Sequence, residues 1–458
     1  MSNRNAPLRR VVVGSAIAAL AAVPLAVIAA PAEASVSSAT ITNRVLTVTT
    51  TNTSTSVRIS HLAPDLTWVQ DFSGNHSWTF NNSAISRVVF VGGSGNDRFD
   101  ATGLNFPVLA KGNAGNDSLT GGNKRDTLIG GAGNDSLSGG PEDDTLVSID
   151  GAYGDTLNGG SGQDAFWRDA NGNSSDSVSA VVSGDFDNRV PSFTNGVHRN
   201  LDGGNTNNPA IPADWSYRAQ PNQPLFPVAG PSGTDIAQGR LSDCKVVSSL
   251  SAVAHDTVSG NAWPIRRAMA DFGDGTYGIR LGNEYFRLDS RLPFDASGNR
   301  VSAANGPESS LWVAIAEKAV AMYDRQEDGW PYSRLTSTGP AKIFEGFGSA
   351  HSDSPLITGY ASSAADLGRK LASRYDHYDN LVVTLTSQST VNGVHAYTVW
   401  HVVRNAAGTV TQIQLRNPWG TDGSVGYNDG VDDGIVSKTP AQLYSDNGGR
   451  VSWGDVIS

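Results

Sequence analysis

The apolar positions of this chain change their spacing several times. Val11 to Ala30 is one nearly unbroken apolar run, with Arg4, Arg9 and Arg10 ahead of it and Ala32-Glu33-Ala34 behind. Between 35 and 91 come short β-branched stretches, Ala39–Thr42, Val45–Thr49, Ser56–Ile59 and Val88–Val91. They are bounded by Asn, Ser and Gly, which predicts strands. Between 92 and 167 an apolar residue stands two places after a recurring Asp. Residues 168–222 are rich in Asn, Ser, Gly and Pro with scattered apolar positions, the pattern of a linker. From 223 to 458 helical and strand periodicities mix. Val246, Val247, Leu250, Val253 and Ala254 form a helical stripe. The β-like runs 394–403 and 410–417 are joined by the turn sequence Arg404-Asn405-Ala406-Ala407-Gly408.

A charged start, an apolar middle and a small-x-small end make residues 1–34 a secretory signal peptide, cut before Ser35. Pro24 and the cleavage pattern favour export over a membrane anchor. The chain's 458 residues suit two or three folded units. Its formal charge of −11, from 33 basic and 44 acidic side chains, argues against a nucleic-acid binder, which needs clustered Lys and Arg. Removing the leader takes away three Arg and one Glu, so −11 becomes −13. Exported proteins commonly rely on disulfides. Cys244 is the sole cysteine, so stability needs another source and the thiol needs a purpose.

The Asp-centred pattern supplies that other source. Gly92-Gly93-Ser94-Gly95-Asn96-Asp97-Arg98-Phe99 recurs as Gly112-Asn113-Ala114-Gly115-Asn116-Asp117-Ser118-Leu119. Units with Asp126/Leu128, Asp135/Leu137 and Asp144/Leu146 follow at a period of nine, then Asp155/Leu157 and Asp164/Phe166. Glycines permit tight turns, and the apolar residue points inward from a short strand. Stacked turns then offer carboxylates and bare carbonyls, hard oxygen ligands suited to Ca²⁺. Eleven acids against four bases between 92 and 167 give a local charge of −7 that repels itself without cations. The segment resembles the repeats-in-toxin nonapeptide, which implies a calcium-bound parallel β-roll with Asp97, Asp117, Asp126, Asp135, Asp144, Asp155 and Asp164 as ligands. The 35–91 strands are expected to cap its open edge.

Cys244 falls in the first turn of the helix marked by the 246–254 stripe. Ser242 or Asp243 can cap that helix, and its positive end favours thiolate. An oxyanion formed there has two candidate donors, the Cys244 N–H and the amide of Gln238 on a loop broken by Gly239. Eight histidines compete for the imidazole role, at 61, 76, 198, 255, 351, 377, 395 and 401. A two-residue turn at 406–407 pairs positions whose numbers sum to 813; His395 and Asn417 sum to 812, within the slack of a bulge. His401 lies six residues from His395 on the same strand, roughly 20 Å away, too far to serve one site.

Cys, His and Asn in these roles follow papain-type logic. The strings Gln238-Gly239-x-Leu241-x-Asp243-Cys244, His395-Ala396-Tyr397 and Arg416-Asn417-Pro418-Trp419-Gly420 resemble the calpain cysteine-protease core, as do Leu225-Phe226 and Leu311–Ala319. That resemblance, over about 224–458, implies an α+β papain-like fold. It implies Cys244 as nucleophile, His395 as general acid/base, Asn417 as its orienter, Gln238 in the oxyanion hole and Trp419 shielding the His–Asn bond. It also implies a core calcium site from Asp235, Glu317 and the carbonyls of Val228 and Gly230. A second core site would lie downstream of Trp419, where Asp422, Asp429, Asp432 and Asp433 supply acid without an aligned spacing. Ser242, Lys245 and Val394 stand where the family has Gly, Trp and Gly.

The expected fold class is therefore an α+β papain-like core at 223–458. It is preceded by an all-β region made of a lead-in at 35–91, a parallel β-roll at 92–167 and a linker at 168–222. The expected function is a secreted, extracellular, calcium-dependent cysteine endopeptidase acting on proteins or peptides. Neither nucleic acid nor, once the leader is removed, a stable membrane anchor is expected. The competing reading is a calcium-binding surface or adhesion protein with a degenerate protease domain.

Overall fold

The computed structural model describes residues 36–171, 174–179, 181–196, 208–221, 223–255, 262–323, 332–348, 355–377, 379–386, 394–421, 434–446 and 448–454. The leader at 1–34, and Asp422, Asp429, Asp432 and Asp433, lie outside the described residues. The chain divides into two compact units, one mainly up to Pro191 and one mainly from Gly203 onward.

The first unit is an all-β solenoid. Strands Val45–Thr50, Arg87–Val91, Val108–Ala114, Thr127–Ala132, Thr145–Ser148 and Ala165–Asn171 pair in parallel along one sheet. Ser56–Ala63, Arg98–Asp100, Ser118–Thr120, Ser136–Pro141 and Thr156–Ser161 do so along the other. Alternating side chains point inward, so Leu119, Leu128, Leu137, Leu146, Leu157 and Phe166, the residues two places after each Asp, fill one core. Phe99, two places after Asp97, joins this core, and Val57, Val88 and Phe90 extend it into the lead-in. Antiparallel strands Val36–Thr42, Leu66–Asp71 and His76–Asn81 flank the first rungs.

Strand structure continues past 167. Ser177–Ser179 pairs with Thr156–Ser161, and Phe186–Val190 with Ala165–Asn171, both in parallel. At the other end of the expected linker, Ser216–Arg218 pairs with Leu292–Phe294 in the second unit. The described strands within 168–222 thus pair with the folded units, and residues 197–207 lie outside the described set. Asp176 and Asp185, nine residues apart, carry the repeat onward. They accept the N–H of Asp155 and Asp164, as Asp155 and Asp164 in turn accept from Asp135 and Asp144. Their turns lack the Gly-Gly signature, and so the pattern hid them.

The second unit is α+β. Helices Cys244–Ala254 and Trp312–Tyr323 share a core with the antiparallel strands Met269–Asp271, Thr276–Leu281 and Glu284–Asp289. A five-stranded antiparallel sheet runs in the order Ile435–Lys438, Val410–Arg416, His395–Arg404, Asn380–Leu385, Arg450–Gly454. Helix Ala364–Asp376 contributes Leu367 and Leu371 to a further core on this sheet. Among the described residues no helix is long and apolar enough to cross a membrane.

Candidate active site and calcium positions

The hairpin that carries His395 is built differently from the simple turn arithmetic. Its loop closes through Asn405 N to Thr409 O and Gly408 N to Asn405 O, both 2.9 Å. Irregularities at Val399/His401 and Val403/Arg404 move the register, so Thr398 faces Arg416. Continued one step, that register sets Asn417 across from Tyr397, one same-face step from His395. A diagonal contact bridges the gap: His395 Nε2 and Asn417 Oδ1 are 3.0 Å apart and both residues are buried. The Trp419 ring lies 4.8 Å from the imidazole, and Trp419 N donates to Asn417 Oδ1 at 3.1 Å, fixing the amide. His401 is elsewhere, with Nδ1 3.0 Å from the Tyr375 hydroxyl.

Cys244 opens its helix as expected and is buried. Asp243 precedes it without a side-chain cap, and Ser242 is exposed. The strand bearing His395 is tied to this helix one turn further on. Ser248 Oγ donates to Ala396 O at 2.9 Å, and Thr398 Oγ1 donates to Ser248 O at 2.7 Å. The thiol itself meets the Ala396 backbone. Among the described residues, no direct hydrogen bond joins Cys244 to His395. The expected lowering of the thiol pKa by the helix end is not met in this arrangement. Burial is the largest influence and pushes the thiol up, against smaller help from the Ala396 backbone and Lys245. Burial likewise pulls the His395 imidazole down, and Asn417 partly offsets it.

Gln238 does not point a free donor at the cleft. Its Nε2 hydrogen-bonds Leu241 O and, at 3.1 Å, Asp243 Oδ1, which uses both amide hydrogens internally. Its backbone N donates to Pro418 O at 2.7 Å. A residue that sequence reasoning missed reinforces the same join. The buried Arg416 guanidinium donates to the carbonyls of Gly233 (3.1 Å), Thr234 (3.0 Å) and Ile236 (3.3 Å). The hairpin end with Asn417 is thereby clamped to the segment leading to Gln238. The only sequence hint was Arg416's place beside Asn417.

A family model described as calpain family cysteine protease matches residues 187–429, just over half of the chain. The chain belongs to the calpain family of cysteine proteases. A second model, RTX calcium-binding nonapeptide repeat, matches residues 111–146. Calpain-1 catalytic subunit of Bos taurus is 27% identical over 234 residues, covering 46% of this chain and 32% of that protein. Calpain-B of Drosophila melanogaster is 23% identical over 220 residues, covering 44% and 23%. Calpain-2 catalytic subunit of Gallus gallus is 26% identical over 212 residues, covering 43% and 29%. The chain thus spans between about a quarter and a third of the length of these calpains.

The residues matched to the calpain core calcium site have other partners. Asp235 Oδ2 accepts from Trp312 Nε1 at 2.8 Å and from Ser232 N at 2.9 Å. Glu317 Oε2 accepts from Ala303 N at 2.7 Å, and its carboxyl adjoins that of Asp243. Val228 N donates to Glu308 Oε2 at 3.1 Å, and Gly230 turns with φ +88°. Among the described residues no three His, Cys, Asp or Glu side chains converge as metal ligands. Two carboxylate oxygens of this set, Asp235 Oδ2 and Glu317 Oε2, are thus engaged by protein donors.

The solenoid turns fit a cation better. Asp117, Asp135 and Asp155 are each 2 % exposed, and each has a buried Oδ2 without a hydrogen-bond partner. Burial raises their pKa values to about 7, 6 and 8 respectively. A Cβ at Gly112 would collide with Asp117 Oδ2 and the Gly130 carbonyl, and one at Gly130 with Asp135 Oδ2. Glycine thus keeps open a small space walled by a carboxylate and, at Gly112, a backbone carbonyl. Oxygen donors of both kinds suit calcium, and any further ligands would be backbone carbonyls or water.

Proposed function

We propose that this chain is a secreted, calcium-dependent cysteine endopeptidase using Cys244, His395 and Asn417. The observation that carries this reading is the buried 3.0 Å His395–Asn417 hydrogen bond, on a strand hydrogen-bonded to the helix that Cys244 opens. His395 takes the thiol proton as the Cys244 sulfur bonds to the substrate carbonyl carbon. The resulting imidazolium gives that proton to the leaving amine, the C–N bond breaks and a thioester remains. His395 then removes a proton from water, whose oxygen displaces the sulfur and frees the acid. Asn417 Oδ1 holds the ring in one orientation throughout. The Cys244 N–H, at the open end of its helix, is the proposed oxyanion donor. Gln238 joins it once its amide leaves Leu241 O and Asp243.

In the roll, bound calcium would supply positive charge to carboxylates that are otherwise buried without compensation. Repeat aspartates with a bare carboxylate oxygen, such as Asp117, Asp135 and Asp155, would hold it. Export accords with the leader-like pattern of residues 1–34 and with millimolar calcium outside cells. The test compares casein digestion by the wild type and Cys244→Ala, each with calcium and with chelator. Cleavage only by the wild type, and only with calcium, is expected. An intact wild-type thiol that cuts nothing in calcium overturns the proposal.

A further inference from the structure

The seven repeat aspartates differ in one backbone detail four residues upstream. Before Asp117, Asp135, Asp144, Asp155 and Asp164 stand Asn113, Gly131, Gly140, Gly151 and Gly160, with φ of +73°, +108°, +120°, +92° and +104°. Before Asp97 and Asp126 stand Gly93 and Gly122, whose φ is not in that left-handed range. The consequence is visible in the hydrogen bonds. Gly93 N donates to Asp97 Oδ2 at 2.9 Å and Gly122 N to Asp126 Oδ2 at 2.5 Å. The other oxygen of each is also satisfied, by Thr55 N and Val108 N, both at 2.8 Å. In the left-handed turns no such donation reaches Oδ2. Gly151 N, for example, turns to Asp169 Oδ2 at 2.6 Å, and Asp155 Oδ2 is left bare.

We infer that calcium in this roll is bound at left-handed turns, among them those of Asp117, Asp135 and Asp155, while Asp97 and Asp126 are structural carboxylates satisfied by the protein itself. These three form one stack. Asp117 Oδ1 accepts from Asp97 N (2.6 Å), Asp135 Oδ1 from Asp117 N (2.7 Å) and Asp155 Oδ1 from Asp135 N (2.6 Å). Each therefore keeps one oxygen as a rung and offers the other to a cation. Both ends of the stack are closed by protein donors. Asp97 is held as described, and Asp176 accepts from Gly154 N, Asp155 N, Asp169 N and the Ser148 hydroxyl. The turn before Asp126 also carries its own cation, Lys124, paired with Glu142 at 2.8 Å. Unpartnered buried carboxylate oxygens require a counter-charge, whereas satisfied ones lose hydrogen bonds if an ion enters.

The inference rests on the proposal that the roll binds calcium, and counting ions separates the two. Full-length chain carrying Cys244→Ala is dialysed against calcium and bound metal is measured. The Asp117→Asn/Asp135→Asn/Asp155→Asn variant is expected to bind about three fewer ions per chain, one for each vacant oxygen. It is also expected to lose a large part of the calcium-induced rise in its unfolding temperature. The Asp97→Asn/Asp126→Asn variant is expected to bind as many ions as its parent but to melt lower with or without calcium. If the triple variant does not fold, Asp135→Asn alone is expected to bind about one fewer. Equal losses in the two variants, or none in the first, overturn the inference and leave a calcium-binding roll. A parent that binds no calcium overturns both.

Discussion

A buried thiol and a buried imidazole each lose solvation on becoming charged, so desolvation favours the neutral pair at Cys244 and His395. In chelator, Cys244 is therefore expected to alkylate with iodoacetamide at a rate that climbs only above the ordinary thiol range, about 8.5. A rate already maximal at pH 7 would show a stabilised thiolate instead. Asn417 acts on the partner group. Its hydrogen bond raises the His395 pKa, so Asn417→Ala is expected to move the acid limb of the pH–rate profile to lower pH. The same variant is expected to lower kcat about 10–100-fold, part of the 10²–10⁴ that a positioned acid/base supplies. Pairing between His395 and Asn417 was legible because strand geometry limits which residues meet. The thiol's state was not, because helix-end electrostatics are visible in a sequence and the depth of burial is not.

Elements meet through contacts that a motif does not spell out. Arg416 ends the strand Val410–Arg416, yet its guanidinium serves three carbonyls between Gly233 and Ile236. Arg416→Ala leaves those buried acceptors without their donor, each worth about 1–3 kcal/mol. An overall loss of about 2–4 kcal/mol in chemical unfolding is expected, with kcat falling through misplacement of Asn417 and Gln238. Arg416→Lys, which has no planar fork, is expected to recover only part of both. The solenoid was readable for a different reason. Asp and the apolar residue two places later recur in register, and both are demanded by stacking itself. Reading failed where the chain used another device. At Asp187 the apolar position is replaced by an ion pair, with Arg168 Nε and Nη2 reaching the two carboxylate oxygens at 2.7 and 2.6 Å.

Among the described residues, the solenoid core draws on residues from Val36 to Phe166, and the two protease cores draw on residues from Leu225 onward. Protons act on the first unit through its buried carboxylates. Asp117, Asp126, Asp135 and Asp155, with pKa values of about 7, 7, 6 and 8 in the folded roll, bind more protons folded than unfolded. Their contribution is fully present below the unfolded value near 3.8 and falls as pH rises through 6–8. The roll without metal is thus expected to melt lower at pH 8 than at pH 5. Calcium competes with those protons for the same oxygens, so its stabilising effect is expected to grow over that interval. Calorimetry of the Cys244→Ala chain at both pH values, with calcium and with chelator, reads this directly. The expected record has two transitions, with the roll's shifted upward by calcium and most strongly at pH 8. A single transition displaced equally by calcium at both pH values would contradict both the separate cores and the proton competition.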